Sequence, residues 1–164
     1  VEVLRELVEI GHNTPSASNK QPLRYRIVCD EATNEQVFEC LRWAGYFNDW
    51  NGPEAGERPS AYIVMVTKTG ENSNWDEGIA GQTILLAAAE KGIGGCFIGN
   101  IDRAALSEVL NLPSGMVIKL VLALGYPKEE VVIDEIDSNG DVRYYRDGSQ
   151  VHHVPKIRVE DIII

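Results

Sequence analysis

The sequence predicts an α+β protein built on a mixed sheet. Three observations predict it. Short apolar runs with strand character interleave with helical patterns, Asn139-Gly140 sits between two alternating runs, and 164 residues with 44% hydrophobic content can bury a proper core. Interleaved strands and helices alone would favour a parallel sheet, and the hairpin signal turns the expectation to a mixed one. A single domain over residues 1–164 follows, since no repeat, low-complexity stretch or second-domain boundary divides the chain.

The elements are justified in order. Within Val1–Asn13, Leu4, Leu7, Val8 and Gly11 fall on one helical face, and His12 is a favourable cation at the helix's negative pole. That pattern opens in mid-helix, which predicts that native residues precede Val1. Leu23–Cys29 alternates and then turns apolar, as a strand does. A second helix is expected from Thr33, with Thr33 or Asn34 as cap and Val37, Phe38 and Leu41 as its inner stripe. Trp43–Pro59 is an aromatic loop whose Trp43, Tyr46, Phe47 and Trp50 either pack in the core or line a slot for a substrate. Ala61–Thr67, continuously apolar, is a buried strand.

A central helix is expected from Asp76, which can cap it, through Glu77 at the positive pole to a stop at Gly92. Gly78, Ala80, Gly81, Ala87, Ala88 and Ala89 give it a thin surface, so another helix or a flat ligand must approach its backbone closely. A turn, a short strand and a second turn follow in Gly92–Asn100, where Gly99 lies past the strand and its amide can face a ligand. This glycine run follows a helix and enters a strand, the reverse of a dinucleotide fingerprint. Asp102 then caps a helix through Leu110, Met116–Leu124 is a strand, and an apolar, β-branched tail follows Pro155.

A formal net charge of −10 argues against nucleic acid and anionic membranes as partners, and requires any anion site to gather positive charge locally. No apolar run is long enough to cross a bilayer. Cys29, Cys40 and Cys96 are odd in number and lack metal-ligand spacing. They read as small buried side chains in a reducing cytoplasm, with no metal site. His152 and His153 point to opposite sides of a strand, read as a surface or edge strand. Lys156 and Arg158, at i and i+2, point the same way. They make either a charged edge against aggregation, which spacing alone favours, or a phosphate clamp.

Residues 13–28, NTPSASNKQPLRYRIV, hold the least ordinary connection. Pro15–Pro22 is longer than an ordinary link of about 2–6 residues and rich in short donors and acceptors, as a loop wrapped around something would be.

Four pieces in this order resemble the FMN-dependent nitroreductase superfamily: PSASNKQP at 15–22, DEGIAGQTILLAAAEKGIGGCFIG at 76–99, LGYP at 124–127 and PKIR at 155–158. The first two are specific in combination and the last two are weak alone, while together they span nearly the whole chain. The resemblance implies a mainly antiparallel sheet flanked by helices in an intertwined homodimer, with FMN at the subunit interface. It implies hydride transfer from NADH or NADPH through FMN to a nitroaromatic, quinone or similar small acceptor. By position it assigns Pro15, Ser16, Ala17, Asn19 and Gln21 to the flavin, Ile98 and Gly99 to main-chain contacts with its reactive edge, and Lys156 and Arg158 to its phosphate. Family members begin with an Arg-rich segment that this sequence lacks at its start, which leaves Lys20 and Arg24 as candidates for the cation near the flavin's pyrimidine edge. Since the flavin would carry the chemistry, no catalytic side chain is obligatory. The competing expectations are a flavin-binding module for storage or sensing, and a related flavin enzyme such as a reductive dehalogenase. The tail Val159–Ile164, an aggregation hazard if left free, is expected to add as a strand to the partner's sheet.

Overall fold

The computed structural model describes residues 1–164 apart from Asn48, in the aromatic loop, and Asn74, ahead of the central helix. The chain forms two compact units, residues 1–43 with 52–126, and residues 44–51 with 127–164.

The first unit is a four-stranded sheet covered on both faces. Its strands are β1 (Arg24–Val28), β2 (Ala61–Lys68), β3 (Gly94–Ile98) and β4 (Met116–Gly125), in the order β1-β2-β4-β3 and antiparallel throughout. The helices are α1 (Glu2–His12), α2 (Glu31–Glu39), α3 (Asp76–Glu90) and α4 (Arg103–Val109). The continuous apolar run of β2 has a direct cause, since successive side chains enter different layers. Tyr62, Val64 and Val66 join Val37, Leu106 and Val121 in one layer, whereas Ala61, Ile63 and Met65 join Leu4, Leu7 and Ile84 in the other.

Part of the thin surface of α3 belongs to this packing, while Gly78 and Ala89 are exposed. A Cβ on Gly11 of α1 would lie 2.6 Å from the Ile84 side chain, and one on Gly81 would lie 2.4 Å from the Phe97 ring. Helix α1 and strand β3 therefore approach α3 more closely than larger residues allow. The β2–β4 register slips between Met65, paired with Leu120, and Val66, paired with Ile118. Lys119 is the residue passed over, a bulge that re-aims its side chain.

Two expectations are corrected in this unit. Helix α2 begins at Glu31, and its cap is Asp30, whose carboxylate accepts from the Thr33 amide, so neither Thr33 nor Asn34 caps it. Cys40 is buried as expected, whereas Cys29 and Cys96 are exposed, because both lie on edge strands or their ends.

The second unit is a three-stranded sheet of β5 (Val131–Ile136), β6 (Tyr145–Arg146) and β7 (His152–Ile157), ordered β5-β7-β6. β5 runs parallel to β7, and β6 antiparallel to it. The expected hairpin across Asn139-Gly140 is thus not formed, because β7 lies between its two arms. His152 and His153 accordingly sit on the central strand rather than at a surface edge. His153 Nδ1 lies 2.9 Å from Asp134 Oδ2, and its ring stacks on Tyr145 with centroids 4.7 Å apart. Phe47 packs against Trp50, Tyr144 and His152, so these half-buried loop aromatics pack within the unit. Val159–Asp161 turns as a 3-10 helix instead of extending as a strand.

Candidate functional site

Residues 14–22 form a loop that spends backbone strain to hold an open shape. Ser18, Asn19 and Gln21 have φ of 52°, 55° and 49°, the left-handed region that non-glycine residues rarely occupy. Such strain persists only where surrounding contacts over-determine it, and it gathers at ligand sites. Here the contacts are local. The Gln21 amide donates to Ser16 Oγ at 3.0 Å, Asn19 donates to the Ser16 carbonyl at 2.9 Å, and Arg24 Nη1 donates to the Gln21 and Leu23 carbonyls at 2.8 Å each. One contact is remote: the Ala17 amide donates to Asp76 Oδ1 at 3.3 Å. Asp76 is buried at the first turn of α3, so the central helix anchors the loop. Ala17, Ser18 and Asn19 are left exposed on it.

The turn after β3 is held from the opposite side. Ile98 is buried, while Gly99 is exposed, its nearest potential Cβ neighbour being Leu120 at 3.7 Å. Arg103, at the start of α4, donates from Nη2 to the carbonyls of Gly99 and Lys119 at 3.3 Å each, and from Nε to the Ile118 carbonyl at 3.0 Å. Lys119, turned out by the bulge, lies 3.8 Å from Glu77 beside Asp76. The loop and the 98–99 turn are therefore linked through the first turn of α3, and among the described residues no hydrogen bond joins them directly.

The Nitroreductase family model matches residues 67–126, which run from the end of β2 through α3 and the 98–99 turn to the end of β4 and do not include the 14–22 loop. The structure of an FMN-dependent nitroreductase from Clostridium difficile R20291 superposes with a TM-score of 0.63 at 25% identity, over 79% of this chain and 77% of that one. Residues 67–126 match the nitroreductase family in sequence, and the chain shares the fold of that nitroreductase. Among curated relatives, this nitroreductase-like chain is 27% identical over 139 residues to an iodotyrosine deiodinase of Thermotoga neapolitana, covering 74% of this chain and 75% of that one. It is 38% identical over 56 residues to an NADPH-flavin oxidoreductase of Vibrio harveyi, 33% of this chain and 23% of that one.

In the second unit of this nitroreductase-like chain, Lys156 is exposed near the end of β7 and Arg158 follows it. Arg158 is already engaged, its Nε and Nη2 donating to Asp161 Oδ2 at 3.2 and 3.0 Å. Two residues that shape this loop and turn escaped sequence reasoning. Asp76 reads as a helix cap, yet the cap position is Trp75 and the Asp76 carboxylate serves Ala17 instead. Arg103 carries no sequence signal, because its partners are backbone carbonyls that any residue supplies. Among the described residues no helix is long and apolar enough to cross a membrane, and no cluster of His, Cys, Asp or Glu suits a metal ion.

Proposed function

We propose that the protein is an FMN-dependent oxidoreductase that takes hydride from NADH or NADPH and passes it to a nitroaromatic, quinone or similar small acceptor. The single observation that carries this reading is the strained loop at 15–21, anchored to the first turn of α3. A flat ring needs short side chains and accessible main chain, and the exposed Ala17, Ser18 and Asn19 supply both. Bound there, FMN would accept two electrons and a proton as hydride and hand them on.

The residues of this chain bind and orient. Pro15, Ser16, Ala17, Asn19 and Gln21 would lie along the flavin, and Asp76 fixes Ala17 from behind. Ile98 and Gly99 would present main chain to the reactive edge, with Arg103 keeping that turn from moving. Lys156 and Arg158 would hold the phosphate, for which Arg158 exchanges its bond to Asp161. Preorganised donors of this kind stabilise the charge that builds on a reduced ring.

A homodimer accompanies this reading. Trp75, Ile79 and Leu86 leave an apolar stripe on the outer face of α3, where Trp75 is 81% and Leu86 63% exposed. Val159, Ile162, Ile163 and Ile164 are apolar and exposed as well, a tail suited to cover a second subunit. The iodotyrosine deiodinase relative favours a second reading, reductive removal of halide from an aromatic acceptor on the same flavin. The test is direct: purify the protein, record its flavin spectrum, and add each nicotinamide anaerobically. A yellow protein bleached by NADH or NADPH is expected. A colourless protein that takes up no added FMN refutes the reading, and bleaching reoxidised by an iodophenol but by no nitroaromatic or quinone favours the second.

A further inference from the structure

A groove of about 580 Å³ opens beside the loop, within the range of small-molecule sites. Val8, Leu23 and Tyr25 make its apolar floor, His12, Lys20 and Arg24 stand on its rim, and Gln21 joins it to the loop. No carboxylate lines it. The surrounding sequence accounts for this: residues 10–29 contain no Asp or Glu, in a chain with 25 of them.

The features that would repel an anion are already spent. The terminal carbonyls of α1, those of Glu9, Ile10 and Gly11, accept from the amides of Asn13 and Thr14. Asp76 is occupied by Ala17. Among the described residues, Lys20 and His12 have no side-chain partner, and Arg24 commits only Nη1, to its own loop.

We propose that this groove takes the phosphorylated adenosine end of a nicotinamide nucleotide, with the base over Leu23 and Tyr25 and phosphate oxygens at Lys20 and Arg24. A flat apolar floor accepts the base, and the planar fork of Arg beside the ammonium of Lys matches phosphate. The groove begins at Gln21, so a nucleotide held there has its other end beside the loop. The proposal rests on the flavoenzyme reading for its choice of nucleotide, because a hydride donor is what such an enzyme consumes.

The experiment is calorimetric titration of the whole protein, with and without saturating FMN, using 2′,5′-ADP, 5′-ADP and inorganic phosphate as separate probes. We expect 2′,5′-ADP to bind most tightly, with FMN present as well as absent. Lys20→Glu should weaken it about tenfold or more, the loss of one charge-assisted contact. Any loss of FMN affinity in the same variant should be clearly smaller than its loss of 2′,5′-ADP affinity. Lys20 is exposed and bonded to nothing through its side chain, so this variant keeps the fold, and Arg24→Lys should cost affinity in the same direction. Failure of both nucleotides to bind an FMN-loaded protein overturns the proposal. So does competition between 2′,5′-ADP and FMN, which would give the groove to the flavin's own phosphate, or a Lys20→Glu loss equal for both ligands. A protein that binds 2′,5′-ADP through Lys20 but never FMN would leave the groove standing and remove the flavoenzyme reading.

Discussion

Asp76 is the most informative residue to change, because one buried carboxylate connects the central helix to the strained loop. Asp76→Ala leaves the Ala17 amide without its acceptor, and a bond to a charged acceptor contributes about 1.5–3 kcal/mol. The 3.3 Å separation puts this one at the weak end. The favourable placement of an anion at the helix's positive pole adds about 0.3–1 kcal/mol. Relief of the carboxylate's desolvation works the other way. A net loss of about 1.5 kcal/mol is expected, a fall of about 3–6 °C in Tm for a chain of this size. Asp76→Asn keeps an acceptor oxygen and should lose about half as much. Because the chain forms two units, a single melting curve can blur the effect, and hydrogen exchange at the Ala17 amide is the sharper assay. Ala17 should exchange faster in the alanine variant, together with the amides of Asn19 and Gln21 whose strained backbone it restrains. Unchanged protection at Ala17, with stability within about 0.3 kcal/mol of the parent, would refute the anchor.

If the proposed dimer uses the exposed face of α3, Leu86→Asp should leave each chain folded and sediment as a monomer where the parent sediments as a dimer; an unchanged dimer places the interface elsewhere, and a monomeric parent refutes the dimer. Gly95→Ala should cost about 2–3 kcal/mol in denaturant titration, because its Cβ would meet the Ala123 carbonyl at 2.9 Å as well as two leucines. Gly81→Ala should cost less, since its Cβ clashes with the far edge of the Phe97 ring, which is 37% exposed and can turn away, and meets Met65 Sδ at an ordinary 3.5 Å. The Asp147 carboxyl is held below the usual carboxylate range, chiefly by the Val151 amide and then by the Ser149 amide and His153. Its contribution to the 147–151 turn is therefore present above the unfolded carboxylate value and is lost as pH falls through the depressed one, below about pH 4. NMR shifts of the Ser149 and Val151 amides should follow that titration.

Much of the fold was legible because burial left its mark on individual segments. β2 reads as a strand from its unbroken apolar run, and the run is unbroken because helices cover both faces of the sheet. The hairpin was misread for a local reason. A two-residue hairpin of the Asn-Gly kind needs positive φ at both central residues, and neither Asn139 nor Gly140 has it. The Asp137 carboxylate instead accepts from the Asn139 amide at 2.8 Å, and the turn closes on Gly140 without aligning its arms. Nothing local to the turn announces that β7, from beyond residue 150, will enter between them. The site was legible where side-chain size and backbone freedom matter, in the 15–22 loop. It was illegible at Asp76 and Arg103, which act on backbone groups distant in sequence.

The charge balance sets a final constraint on how an anionic nucleotide would reach the groove. At a formal net charge of −10 the chain repels anions at distances beyond the reach of Lys20 and Arg24, and that repulsion is screened over a Debye length of about 8 Å at physiological salt. Once the nucleotide is seated, its contacts lie within a few ångströms and resist screening better. Raising salt from about 0.02 to 0.15 M should therefore speed association of 2′,5′-ADP by weakening the long-range barrier, while dissociation also quickens as the local pairs weaken. Stopped-flow measurement separates the two rates. Association that slows with salt would mean that the acid-free stretch at residues 10–29 steers anions in despite the negative whole, and the barrier argued from net charge would be wrong.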